Sequence, residues 1–160
     1  MLTRSVKAAL ALPDIEKGYR TAYQMALRFA NKAHWGQTDK AGEPYIKHLI
    51  RVSMHCDSSV AKIVALLHDT LEDCAVTDYM IRARFGDAIA DSVLYLTRVD
   101  GEPYMGYIKR LACDPIAREV KIADLIDNTN LSRLPVTTLA DVKRQRKYNS
   151  ALHYLITYES

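Results

Sequence analysis

The sequence predicts an all-α domain, and three observations carry the prediction. Apolar residues recur at spacings of three and four along most of the chain, as one buried face of a helix requires. No stretch alternates apolar and polar residues as a half-buried strand does. Capping and stop signals fall between the periodic stretches. The 160 residues suit one domain with a real core, spanning 1–160, with 1–13 as an N-terminal extension. Seven to nine helices fit that length.

The composition is that of an ordinary globular chain, 49% hydrophobic and 26% charged. A net charge of +3 suits an anionic substrate but does not mark a nucleic-acid binder. Cys56, Cys74 and Cys113 are scattered, and none sits in a CxxC pair. A disulfide framework is therefore not expected, and a reducing cytoplasm is the natural setting. The apolar run Ala8–Leu12 is too short for a signal peptide, and no stretch is long enough to span a membrane.

Pro13-Asp14 opens a first helix over 14–33, with Ile15, Tyr19, Ala22, Tyr23, Ala26, Leu27 and Ala30 at helical spacing and Gly36 as its C-cap. Residues 36–45 read as a loop, because two glycines and a proline interrupt regular structure. A loop between helices is either a plain connector or a place for substrate contacts. A second helix, 46–55, carries His48. Ser58 and Ser59 cap a third, whose nearly apolar run Val60–Leu67 delivers His68, Asp69, Glu72 and Asp73. If the helix continues, His68 and Glu72 share one face, and so do Asp69 and Asp73. Charge on a buried helix end must be neutralised, and a metal would do so; the plain alternative is a solvated helix end.

Thr77 caps a fourth helix that stops at Phe85-Gly86. A fifth, 87–98, is expected to turn Ala88, Ile89, Val93, Leu94 and Leu96 inward, and Asp100–Pro103 is a turn before a sixth helix over 104–112. Asp114-Pro115 is a strong start signal for a seventh helix, 115–131. There Ile122, Leu125, Ile126 and Leu131 make a broad apolar side. Asp124 and Asn128 lie beside it, and Lys121 is one turn earlier. Thr138–Asp141 resembles a capping box for a last helix, 138–157. Its Lys143, Arg144, Arg146 and Lys147 make either a solvated face or a basic wall for phosphates.

Two histidines, His48 and His68, and two aspartates, Asp69 and Asp124, come from three predicted helices. Nitrogen and carboxylate ligands suit Mn²⁺, Fe²⁺, Co²⁺ or Zn²⁺ better than Mg²⁺ or Ca²⁺. Such an ion acidifies water and offsets charge on a phosphoryl oxygen. Glu72 and Asp73 stand where they could orient or deprotonate that water.

The order His…His-Asp…Asp resembles the HD metal-dependent phosphohydrolases. The resemblance narrows through Ala33-His34-x-Gly36-Gln37, Gly42-Glu43-Pro44-Tyr45-Ile46-x-His48, Leu66-Leu67-His68-Asp69-Thr70-x-Glu72-Asp73 and Lys121-x-Ala123-Asp124-x-x-x-Asn128. These motifs run over about 19–148 and are similar to the hydrolase domain of RelA/SpoT-type enzymes, whose single-domain members are the small alarmone hydrolases. The resemblance implies one Mn²⁺ on His48, His68, Asp69 and Asp124, with Glu72 and Asp73 handling the attacking water. It implies a guanine nucleotide alarmone as substrate: Lys40 lies against the base and Asn128 holds the nucleotide. Removal of the 3′-pyrophosphate of (p)ppGpp then gives GDP or GTP and pyrophosphate.

Lys121 and Tyr148 are further candidate substrate contacts, and His34 is the best candidate to orient a metal ligand. No nucleic-acid or membrane partner is implied. Four departures stand out. Asp39 replaces an arginine and would repel an anion. Leu49 replaces a proline, Leu125-Ile126-Asp127 replaces Arg-x-His, and Leu131 replaces a threonine. They leave two other readings open: a phosphohydrolase of another nucleotide, such as a 2′-phosphorylated dinucleotide, or a non-catalytic alarmone-binding module.

Overall fold

A computed structural model describes residues 14–159, so the extension expected over 1–13 lies outside the described residues. In chain order the elements are α1 (Asp14–Ala33), α2 (Ile46–His55), α3 (Ser59–Leu67), α4 (Thr70–Asp73), α5 (Asp78–Phe85), α6 (Asp87–Leu96), α7 (Tyr104–Leu111), α8 (Pro115–Thr129), a 3-10 turn (Leu131–Arg133) and α9 (Leu139–Ile156). The fold is all-α. A lone antiparallel bridge between Thr38 and Pro44 pinches the loop after α1, and Gly42 takes the positive φ of 82° that this tight turn demands. No helix among the described residues is long and apolar enough to cross a membrane.

The apolar run organises the molecule. In α3, Ala61 and Ile63 to Leu67 are all buried, and α1, α2, α6 and α8 pack around them. The Ser58 hydroxyl caps the helix by accepting from the Ala61 amide. Glu119 on α8 accepts from the Asp57 and Ser58 amides at 2.6 and 2.9 Å, which pins the start of α3 to α8. Fully burying a leucine such as Leu66 or Leu67 contributes about 1.5–3 kcal/mol. The stability of this helix therefore comes from packing rather than from its short length.

α8 joins two apolar clusters. Ala117, Val120 and Ala123 belong to the core around α3. Leu125 belongs to a second cluster with Ile108 and Leu111 of α7 and Ala151 and Leu155 of α9. At the seam sit Asp124 and Asp127, 4% and 5% exposed.

Three expectations are corrected here. The third helix does not run through the acidic stretch: α3 ends at Leu67, and a separate turn of helix begins after Asp69, whose φ of −99° and ψ of 0° break the regular geometry. Ala88 and Leu94 point outward on α6, while Ala90 and Ser92 are buried. On α8, Ile126 is 41% exposed and its neighbour Asp127 is buried instead. Leu125 stays buried as expected, and Asp127 is accommodated inside by His48, Arg51 and Arg133.

Candidate metal centre

His48 rises from α2 and His68 follows the last turn of α3. The Nδ1 of His68 lies 2.7 Å from the carbonyl oxygen of Ala65. A carbonyl only accepts, so Nδ1 carries the proton and Nε2 carries a lone pair. The Nδ1 of His48 lies 2.7 Å from Oδ2 of Asp127, with the same consequence. Both Nε2 atoms therefore turn lone pairs toward one point. With a carboxylate oxygen of Asp124 they form a buried set lying within 4.8 Å of one another. Asp124 Oδ1 is 3.3 Å from His48 Nε2 and 3.7 Å from His68 Nε2.

The Nε2 of His68 is buried without a hydrogen-bond partner, a costly condition for a polar atom unless a cation meets it. Two neutral imidazole nitrogens and carboxylate oxygen are a donor set that fits a divalent transition metal. Asp69 borders the set. Its Oδ2 is 3.0 Å from His68 Nε2 and 3.9 Å from His48 Nε2, and it accepts a 2.5 Å hydrogen bond from the Tyr45 hydroxyl.

The electrostatics follow from burial around unlike charges. Burial would depress the His68 pKa, but the charge of Asp69, then Asp124, outweighs it and raises it well above the ordinary value. Burial likewise opposes charge on His48, yet Asp124 and Asp127 raise its pKa. Burial would raise the Asp124 pKa, but Lys121 and the two histidines hold it well below the usual range. The buried carboxylates thus favour positive charge at this point, the charge a bound cation would supply.

Glu72 and Asp73 occupy α4, beside the centre. Glu72 accepts from the backbone amide of Arg98. Burial raises the pKa of both acids, and the charge of Asp69 adds to the rise. With Thr97 and Arg98 they line one cleft. A second cleft, of about 280 Å³, opens on the His48 side and is lined by Lys40, Tyr45, Asn128, Arg144 and Tyr148, among others.

The structure gathers Lys40, Asn128 and Tyr148 around one cleft but treats Lys121 differently. The Lys121 amine sits 2.7 Å from Asp124 Oδ2, with only 14% of its side chain exposed, so it neutralises a candidate ligand from behind. The Asn128 amide also donates to Asp124, at 2.6 Å to Oδ1. His34 stands one shell further out. It donates to Gln37 at 2.8 Å, which donates to the Asp73 carbonyl at 3.0 Å. Its ring lies 4.9 Å from that of Tyr45, the donor to Asp69.

Asp39 is the clearest correction. It does not present a bare negative charge: Oδ1 accepts from the Ala41 and Glu43 amides at 2.9 and 3.0 Å. Arg51 and Arg133 each lie 3.4 Å from Oδ2. The carboxylate shapes the loop and is neutralised there.

Sequence reasoning gave no role to Arg51, Arg133, Asp127 or Tyr45. Arg51 lies three residues after His48, which put it on the same helix face. Asp127 was visible only as a departure, and nothing local marks Arg133.

Comparison with known proteins places these features. The family model described as HD domain matches residues 26–143. A guanosine-3′,5′-bis(diphosphate) 3′-pyrophosphohydrolase of Aquifex aeolicus is 36% identical over 117 residues, covering 66% of this chain and 17% of that protein. The protein of the same name from Vibrio cholerae is 39% identical over 100 residues, 56% of this chain and 14% of that one. A GTP pyrophosphokinase of Streptomyces coelicolor is 28% identical over 159 residues, 91% of this chain and 18% of that one. The chain thus spans less than a fifth of the length of these curated relatives. A solved structure of a metazoan ortholog of SpoT, described as hydrolysing ppGpp, superposes with a TM-score of 0.72 at 22% identity, covering 85% of both chains, and so shares the fold.

Proposed function

The chain belongs to the HD-domain family, and from that premise we propose that it is a metal-dependent nucleotide pyrophosphohydrolase removing the 3′-pyrophosphate of (p)ppGpp. The observation that carries this reading is the convergence of His48 Nε2, His68 Nε2 and Asp124 beside a cleft lined by Lys40 and Arg144. The names of the Aquifex and Vibrio relatives support the substrate.

His48, His68, Asp69 and Asp124 would hold the ion, Mn²⁺ in this reading. Bound there, it supplies a Lewis acid that draws charge from a phosphoryl oxygen and makes water a better nucleophile. Lys121 and Asn128 keep Asp124 ionised and aimed. Lys40 meets the base, Tyr148 offers a flat ring surface, and Asn128 reaches the ribose and phosphate region in the same cleft.

Glu72 and Asp73 take the proton of the attacking water. Their raised pKa values bring them nearer to neutral pH, where a base is most effective. The water oxygen bonds to the phosphorus attached to O3′, the P–O3′ bond breaks, and the proton that the acidic pair took from the water passes to O3′. The products are GDP or GTP and pyrophosphate. The free thiols Cys56, Cys74 and Cys113 suit a reducing cytoplasm.

A second reading, hydrolysis of another nucleotide on the same centre, is favoured by one observation: Asp39 and Leu131, both departures from the family pattern, line the cleft. A substrate panel separates the two. We expect pyrophosphate from ppGpp with Mn²⁺ present and none from Asp69→Ala. Release from a different nucleotide alone would transfer the chemistry to the second reading. Tight nucleotide binding without any turnover would leave a binding module.

A further inference from the structure

We propose that Asp127 is the positioning residue of this centre: its carboxylate fixes the ring of His48 and ties that ring, through Arg51 and Arg133, to the wall of the substrate cleft. This inference rests on the metal reading above and goes beyond it.

Asp127 is 5% exposed. A carboxylate that deep is costly unless it is paired and hydrogen-bonded. Its partners are specific. Oδ2 lies 2.7 Å from His48 Nδ1. Arg51 donates through Nε to Oδ1 at 2.8 Å and through Nη2 to Oδ2 at 3.2 Å. Arg133 donates through Nη2 to Oδ2 at 3.0 Å and to the Asp127 carbonyl at 2.8 Å. Both arginines also line the cleft.

The placement resolves a competition for one proton. On the Nε2 side of His48 stand Asp124, at 3.3 Å, and Asp69, at 3.9 Å. Those two acids would draw the ring proton onto Nε2, where it would block a metal. Asp127 is the acid on the opposite side. It holds the proton on Nδ1 and leaves the Nε2 lone pair facing Asp124 and His68. Histidine ligands depend on such an acceptor for both tautomer and ring angle. His68 obtains the same service from the Ala65 carbonyl, a backbone group that no side-chain substitution removes.

Asp127→Asn inverts this arrangement. Its neutral amide oxygen is a weaker acceptor than the carboxylate, so Asp124 and Asp69 on the Nε2 side would draw the ring proton there, which is the wrong tautomer for a ligand. The test is Mn²⁺ binding by calorimetry on the full chain, with helicity followed by circular dichroism. We expect the parent to bind Mn²⁺ and a helical Asp127→Asn variant to bind about 10–100-fold more weakly. Affinity within about twofold of the parent would overturn the inference while leaving the centre intact. A parent that binds no divalent ion would overturn the metal reading and this inference together.

A second measurement needs no variant. In the nitrogen-correlated proton spectrum of the Zn²⁺-loaded parent we expect slowly exchanging Nδ1–H signals from both His48 and His68, beside that of the buried His34. A protected signal from His68 with none from His48 would overturn the proposal.

Discussion

His68 owes its chemistry to a backbone atom. The Ala65 carbonyl fixes its proton on Nδ1, and the buried Nε2 faces the Asp69 carboxylate at 3.0 Å without a hydrogen bond. Substituting His68→Ala should therefore abolish Mn²⁺ binding and lower turnover by more than the roughly 10–100-fold typical of residues one shell out; paired calorimetry and kinetics check this. In the proposed mechanism Glu72 and Asp73 set the pH dependence. Burial and then the charge of Asp69 raise the pKa of both, and both must be ionised to accept a proton. Activity should fall as pH drops through those raised values, at higher pH than an ordinary carboxylate near 4 would give. In Glu72→Gln the rate should fall by about 10²–10⁴-fold. An acid limb in kcat that Glu72→Gln and Asp73→Asn each leave in place, at full rate, would remove them from proton transfer.

At the level of the helices, most boundaries were legible because each is written in a local signal. Ser58, Thr77, Asp114 and Thr138 all cap helices by accepting from a backbone amide three residues on. The capping box at Thr138 is complete, and Thr138→Ala should cost about 1 kcal/mol in a denaturant titration. An unchanged midpoint would mean that α9 is held by packing alone.

The break after Leu67 was not legible. His68 keeps helical angles and the Asp73 amide still bonds to the Asp69 carbonyl, so the periodic pattern runs on through a change of helix. Nor was the buried face of α8, where the sequence offers Ile126 and the fold takes Asp127. What decides the matter is the contact of Asp127 with His48, 79 residues away. A similar separation hid the neutralisation of Asp39 by Arg133, which lies 94 residues along the chain. The candidate ligands His48, His68 and Asp124, which the fold brings together, were readable from their types and order. Their supports were not, because those depend on tertiary contacts.

In the molecule as a whole, the candidate centre sits on α8, the helix that contributes to both apolar clusters. Stability and metal binding should therefore be linked. The folded-state pKa values of His48 and His68 are raised. The stability these rings contribute to the metal-free protein is complete below their unfolded pKa of about 6.5 and is lost as pH rises through the folded-state values. Mn²⁺ binds the deprotonated rings, so its stabilisation should grow over the same pH range. At a free concentration 100-fold above Kd it should amount to about 2.7 kcal/mol. Thermal unfolding with and without chelator, across that pH range, reads both trends. A Tm gain from Mn²⁺ that shrinks with rising pH would contradict the linkage.

The most direct test is pyrophosphate release from ppGpp by protein first stripped of metal and then reloaded with Mn²⁺. Hydrolysis at the His48, His68 and Asp124 centre requires silence from the stripped protein and recovery on reloading. Release that is indifferent to stripping, or silence from protein verified to carry Mn²⁺, would contradict it.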